Sequence, residues 1–298
     1  MKNRHILITG GTGFIGRELL TKFNDENITL LSRTTPFKNQ IQASLEDFLD
    51  KELIIDNFDI VIHLAGLAHN NYDLDEFRKV NVKSTVALAK QVAAKGLKRF
   101  VFISSIGVNG NNTVNEPFNE LSLANPHADY ALSKYEAETE LIQLSKSLGF
   151  ELVIIRPPLV YGENAPGNFK SLYNLISKGV PLPFGLVNNS RSFISVSNLC
   201  DFIALTTTHP SAAGELFLIA DDERVSTKSL IKTIWKAKNI SSFLIPVPTF
   251  IFKILFKVLG RSSIYLQLFD NLEVDNSKAK KLLAWYPKQA MIDVFKKS

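Results

Sequence analysis

Tyr130-Ala-Leu-Ser-Lys134, with Ser105 ending an apolar run twenty-five residues upstream, brings together a phenol, an ammonium and a hydroxyl. Four residues apart on a helix, Tyr130 and Lys134 share a face. An ammonium beside a phenol stabilises the phenolate, so the spacing predicts a Tyr130 pKa below its ordinary value of about 10. That would bring a weak acid nearer to working pH, where it serves proton transfer. The same ammonium suits a ribose, and Ser105 would donate a hydrogen bond that places and polarises a substrate oxygen. The set reads as proton and hydride exchange at a carbonyl or carbinol carbon. A lone Tyr-x-x-x-Lys arises readily by chance. Its conjunction with a Ser-Ser at a strand end and a glycine loop does not.

That loop is Thr9-Gly10-Gly11-Thr12-Gly13-Phe14-Ile15-Gly16. Glycines at 10, 13 and 16 permit a tight turn, close backbone approach to a pyrophosphate, and close packing of helix on strand. The helix that follows would offer free N–H groups and a positive dipole end to phosphates. The second strand ends in Ser32-Arg33, with no carboxylate until Glu46. A carboxylate there would bind the adenine ribose diol, whereas Arg33 can pair with a 2′-phosphate. NADP(H) is therefore favoured, with NAD(H) as the alternative.

The elements that must hold these groups alternate. His5–Thr9, Ile28–Ser32, Asp59–Leu64, Arg99–Ser104 and Glu151–Arg156 are near-continuous apolar runs, as in parallel strands buried on both faces. Helical patterns lie between them near Phe14–Phe23, Leu74–Ala94 and Tyr130–Leu148. The alternation predicts an α/β fold, a Rossmann-type doubly wound parallel sheet. After Arg156-Pro157-Pro158 the rhythm turns irregular, with helical patterns at Phe169–Lys178, Val196–Thr207 and Thr227–Lys238. We read residues 1–165 as a dinucleotide-binding domain and 166–298 as mainly a smaller substrate-binding lobe. Segments around 190–210 are expected to return to the first domain.

Composition narrows the class. A 45% hydrophobic and 21% charged chain of 298 residues is ordinary for a globular protein. The net charge of +5 comes from scattered lysines, without the basic stripe that nucleic-acid binding needs. Cys200 is the only cysteine, so no intrachain disulfide forms, which fits a reducing, cytoplasmic location. No metal-ligand set is identified. The N-terminal apolar stretch breaks too early for a signal-peptide core, and no apolar run is long enough for a spanning helix. Phe243 to Leu259 comes nearest. It is expected to be an amphipathic helix packed on the protein, with a membrane-surface or partner-binding helix as the sharper reading.

Across nearly the whole length, these residues resemble the extended short-chain dehydrogenase/reductase family, in its nucleotide-sugar epimerase/dehydratase group. The resemblance rests on the glycine loop, His63-Leu64-Ala65-Gly66, Val80-Asn81-Val82, Ser104-Ser105-Ile106-Gly107-Val108-Asn109-Gly110, Tyr130 to Lys134, and Arg156-Pro157-Pro158-Leu159-Val160-Tyr161-Gly162. It implies cofactor contacts from Gly10, Thr12, Gly13, Phe14, Ile15, Leu64, Ala65, Gly66, Asn81, Ser104 and Pro157, beside Arg33, Tyr130 and Lys134. In the second half it implies that Asn168 and Arg191 hold a sugar-nucleotide diphosphate. Phe184, in Leu182-Pro183-Phe184-Gly185, resembles a uracil loop, and Asp275 resembles a ribose-binding acid. A homodimer through helices near Leu74–Ala94 and Tyr130–Leu148 is also implied. Asn109, Ser197-Asn198, Ser44-Leu45 and Arg33 depart from the group's commoner residues.

The expected reaction is NADPH-dependent reduction of the C4 ketone of a UDP-linked 4-keto hexose, in a surface polysaccharide precursor of 6-deoxy-N-acetyl type. The alternative is an NAD-dependent UDP-hexose or UDP-N-acetylhexosamine 4-epimerase using the same residues in oxidation and return reduction. A carbonyl reductase of non-nucleotide substrates and a non-catalytic dinucleotide sensor complete the set.

Overall fold

The computed structural model describes residues 4–23, 27–33, 38–53, 55–68 and 72–296, so Met1, Lys2 and Asn3 of the basic N-terminus lie outside the described residues. In chain order the strands are β1 (Ile6–Thr9), β2 (Ile28–Ser32), β3 (Gln40–Gln42), β4 (Ile60–His63) and β5 (Arg99–Ile103). They continue with β6 (Glu151–Arg156), β7 (Leu159–Tyr161), β8 (Arg191–Ser195), β9 (Leu216–Leu218) and β10 (Arg224–Val225). Seven of them form one sheet in the order β3-β2-β1-β4-β5-β6-β9, every pairing parallel. The apolar runs of the first half are these strands. Successive side chains supply opposite faces, Ile6 and Ile8 to one core layer and Leu7 to the other.

Helices cover both faces. They are α1 (Phe14–Leu20), α2 (Asp47–Asp50), α3 (Leu74–Phe77), α4 (Thr85–Ala93), α5 (Asp129–Leu148) and α6 (Gly167–Ser177). Then come α7 (Val196–Thr206), α8 (Thr227–Ala237), α9 (Thr249–Val258), α10 (Ser262–Phe269), α11 (Ser277–Leu283) and α12 (Met291–Lys296). Helix α7 packs against α1, and β9 pairs beside β6, so late segments of the chain complete the first layer. Asp73 and Glu76 form a reciprocal capping box that starts α3. Gly149 ends α5 in the left-handed region, at φ 76°.

The single helix expected over Leu74–Ala94 is instead α3 and α4 joined by a π-helical stretch, Arg78–Ser84. The Ser84 hydroxyl donates to the Lys79 carbonyl five residues back, which matches the widened turn. The irregular second half builds a three-stranded sheet, β10-β8-β7, over a separate aromatic core.

Sequential strands run outward from β1 through β2 to β3 and, in the other direction, from β4 through β5 to β6. A crevice opens where that order reverses, at the carboxyl ends of β1 and β4. The glycine loop leaves β1 at this point.

Candidate active site

The loop after β1 fits tightly against the loop after β4. Gly10 has φ 73°, and a Cβ on it would lie 2.7 Å from the Ala65 nitrogen, so only glycine is accommodated. A Cβ on Gly16 would fall 2.3 Å from the Gly10 carbonyl oxygen, which is how α1 packs closely under its own loop. The Thr9 hydroxyl accepts from the Ala65 N–H at 3.2 Å and lies 2.9 Å from His63 Nδ1, while His63 Nε2 reaches the Thr85 hydroxyl at 3.0 Å. Burial lowers the His63 pKa to about 3, so this ring is a neutral strut between β1, β4 and α4.

Asn81 sits in the π-helical turn, fully buried. Its carbonyl accepts from the Leu67 N–H at 2.8 Å, and its amide donates to the Leu67 carbonyl and to the Ser133 hydroxyl, each at 3.0 Å. Ser133 donates in turn to the Tyr130 carbonyl. Asn81 thus ties the Leu64–Leu67 loop to the helix that carries Tyr130. Its side chain has no place in the cleft wall.

A cleft of about 450 Å³ runs from the glycine loop to the second lobe. Phe14, Ile15, Leu64, Gly66, Ser104, Ser105, Tyr130, Lys134, Pro157, Asn168 and Arg191 all line it. Ser105 lies two residues beyond β5 and caps the short 3₁₀ turn Ile106–Val108, its hydroxyl accepting from the Gly107 N–H at 3.1 Å. The Ser105 proton remains available to a ligand oxygen. Tyr130 and Lys134 occupy the first turns of α5, and Lys134 Nζ donates to the Ile103 carbonyl at 2.9 Å, over the Phe102 ring.

The electrostatics reverse the fall expected at Tyr130. Its surroundings, Phe77 among them, desolvate the phenol and push it up to about 12. The ammonium meant to oppose that effect is engaged by the Ile103 carbonyl, and burial lowers Lys134 itself to about 8, partly offset by Glu138. The Tyr130 phenol therefore keeps its proton at neutral pH. Lys134 lies within reach of losing its charge.

A buried ion pair underlies the wall. Arg156 Nε donates to Glu138 at 2.9 Å, its Nη2 pairs with the other carboxylate oxygen, and its Nη1 donates to the Asn109 carbonyl at 3.0 Å. Asn109 in turn donates to the Ser122 carbonyl. Asn109 is thus part of the support for β6, α5 and the loop after Ser105.

Arg191 opens β8, and its Nη1 donates to the carbonyls of Leu266 (3.1 Å) and Asp270 (2.8 Å). Burial lowers it to about 10, so it remains a cation at neutral pH. Asn168, at the start of α6, donates to Gln267 of α10 at 2.7 Å. Gln267 and Leu272 complete the wall beside them, and no local sequence pattern marks either. Gly107, Gly110 and Asn111 also line the cleft; the Ser105–Gly110 motif contains the first two.

Other expected residues fall elsewhere. Phe184 lies in the second lobe's core, stacked on Phe252 and Phe269, because its apolar ring is better buried there than at the cleft wall. The Asp275 carboxylate accepts from the Ser277 N–H at the start of α11. Gly10, Thr12 and Gly13 belong to the loop that leaves β1 and leads into Phe14 and Ile15 of the cleft wall. Arg33 is exposed at the end of β2.

The residues fit a dinucleotide. The glycine cradle has no room for a Cβ at Gly10 or Gly16, and the buried Ser104 hydroxyl in the cleft wall has no partner among the described residues. Such an orphan invites a ligand atom.

Comparison with known proteins accords with this geometry. Residues 6–220 match the NAD dependent epimerase/dehydratase family. A Vibrio cholerae UDP-glucose 4-epimerase is 40% identical over 99% of this chain and 94% of its own length. An Escherichia coli dTDP-4-dehydro-6-deoxyglucose reductase is 28% identical over 77% of this chain and 80% of its own. The structure of UDP-glucose 4-epimerase from Thermotoga maritima with UDP-glucose superposes with a TM-score of 0.78, at 22% identity, covering 98% of this chain and 96% of that one. The chain therefore belongs to the NAD-dependent epimerase/dehydratase family, the nucleotide-sugar group of the extended short-chain dehydrogenases/reductases.

Proposed function

We propose that this protein exchanges hydride at C4 of a UDP-linked hexose. The observation that carries the reading is the convergence of Ser105, Tyr130 and Lys134 with Asn168 and Arg191 on one cleft. NADP(H) would bind along the Gly10–Gly16 loop with Ser104 and Lys134 beside it, and would supply or accept the hydride. Ser105 donates to the C4 oxygen, and Tyr130 delivers the proton that a developing alkoxide needs. Lys134 holds positive charge beside the phenol. Arg191 and Asn168 anchor the diphosphate, so that binding energy far from C4 positions it.

The finer reading is reduction of a 4-ketone with NADPH. Arg33 supports it, an exposed cation where an NAD-selective site carries an acid. Epimerisation is the second reading, favoured by the 40% identity to the V. cholerae UDP-glucose 4-epimerase. The purified protein separates them. Consumption of NADPH with a UDP-linked 4-keto sugar supports reduction. Tightly bound NAD, with interconversion of UDP-hexoses and no added cofactor, overturns it in favour of epimerisation. No effect of UDP on turnover in either assay would favour a non-nucleotide substrate over both. The resemblance further implies a homodimer through α4 and α5, which light scattering on the same sample tests.

A further inference from the structure

Helix α9 is apolar on both sides, but only one side is even partly buried. Phe252 and Phe256, one turn apart, pack into the second lobe's core, where Phe252 stacks on Phe184 and Phe269. On the opposite arc Phe250, Ile254 and Val258 stand 61%, 60% and 79% exposed, flanked by Ile251, Leu255 and Leu259. At helical spacing the first three form one stripe. Lys253 and Lys257 run along one edge of that stripe.

Charge along this stretch of the sequence has one sign. From Arg224 to Phe269 the sequence holds no Asp or Glu, while Lys228, Lys232, Lys236, Lys253, Lys257 and Arg261 all fall within it. This contrasts with a whole-chain balance of 34 basic to 29 acidic residues. An apolar stripe edged by lysines, on a helix with no acidic neighbours in sequence, complements an anionic surface with an oily interior. Among the described residues no helix is long and apolar enough to cross a membrane. The geometry points to a helix that lies on one.

We infer that the exposed face of α9 seats the protein on an anionic lipid bilayer, with Phe250, Ile254 and Val258 inserted and Lys253, Lys257 and Arg261 at the headgroups. Helix α10 follows directly from α9, carries Gln267 into the cleft wall, and holds Arg191 through its main-chain carbonyls. The docked face is therefore one helix removed from the cleft. The inference stands whichever reaction the cleft performs.

Vesicle flotation of the full chain tests it, using phosphatidylcholine alone and phosphatidylcholine mixed with phosphatidylglycerol. The protein is expected to float with the anionic vesicles, weakly with the neutral ones, and less at high salt. Charge reversal in Lys253→Glu/Lys257→Glu should weaken binding at least about thirtyfold, since each lysine near the surface contributes about 1 kcal/mol. Phe250→Ser/Ile254→Ser should do likewise, with thermal midpoint and dinucleotide binding kept as checks on folding. Failure of the unaltered protein to float with anionic vesicles would overturn the inference. So would equal flotation of the variants. A fall in light-scattering mass of the serine variant, without vesicle binding by the parent, would assign the face to a second copy of the chain instead.

Discussion

The two lobes hold their site residues in different ways. Around the dinucleotide crevice, each group is fixed by neighbours on adjoining strands and helices: Thr9 on His63 and Ala65, Asn81 on Leu67 and Ser133, Lys134 on the Ile103 carbonyl. In the second lobe, Arg191 is held by main-chain carbonyls seventy-five and seventy-nine residues away, and Asn168 by a side chain ninety-nine residues away. The first site is rigid because the sheet is. The second depends on where α10 docks, so its geometry is adjustable without disturbing the chemistry.

Variants that separate the two lobes test this difference. The largest effect belongs to Tyr130→Phe, which removes the proton donor and should lower kcat by about 10²–10⁴-fold. Dinucleotide affinity and the thermal midpoint should stay near their parent values. If turnover survives, the first lobe holds its donor elsewhere. Glu138→Ala comes next. It leaves the Arg156 guanidinium buried without its carboxylate, and denaturant unfolding should register a loss of about 3–5 kcal/mol. A loss confined to activity would mean that the pair orients Ser105 and Tyr130 without bracing the sheet.

Arg191→Ala should act on the other side of the comparison. If Arg191 anchors the diphosphate as proposed, its loss is expected to lower kcat/KM by thirtyfold or more, from about 2 kcal/mol, most of it in KM. An effect mainly on kcat would show that α10 sets the reacting geometry as well as affinity.

The pH profile offers a subtler check. With Tyr130 near 12 the phenol keeps its proton throughout the working range, whereas Lys134, near 8, loses its charge as pH rises. For ketone reduction kcat/KM should therefore fall above about pH 8, and Lys134→Met should lack that break. The smallest effect is that of Tyr161→Phe. It removes the 2.7 Å hydrogen bond to Asp221 but leaves that carboxylate its Asn198 and Ser195 donors, and chemical denaturation should show a loss of about 1–2 kcal/mol.

The same contrast governs what was legible in the sequence. Five buried strands and the glycine loop announce themselves through short-range pattern, because a strand covered on both faces must be apolar at consecutive positions. Tyr130, Lys134 and Ser105 are legible for a related reason: a helix turn and a strand end fix their placement. Gln267 is not, because nothing local distinguishes it from any exposed glutamine until α10 meets α6. Phe184 misleads in the opposite sense, since an aromatic in a proline–glycine loop reads equally as a ligand contact or a core plug. The direction of the Tyr130 shift was beyond sequence as well. It depends on how much water the fold removes from the phenol, which spacing alone does not encode.

Asn109 carries a consequence for how such a chain can change over generations. Through Arg156 it connects the loop after Ser105 to β6 and to the helix bearing Tyr130, so the segments that carry Ser105 and Tyr130 share one polar knot with the sheet. Substitutions at knotted positions do not add independently. Asn109→Tyr alone should therefore be harmful in this background, because it removes the acceptor of the Arg156 guanidinium. The site changes as a unit.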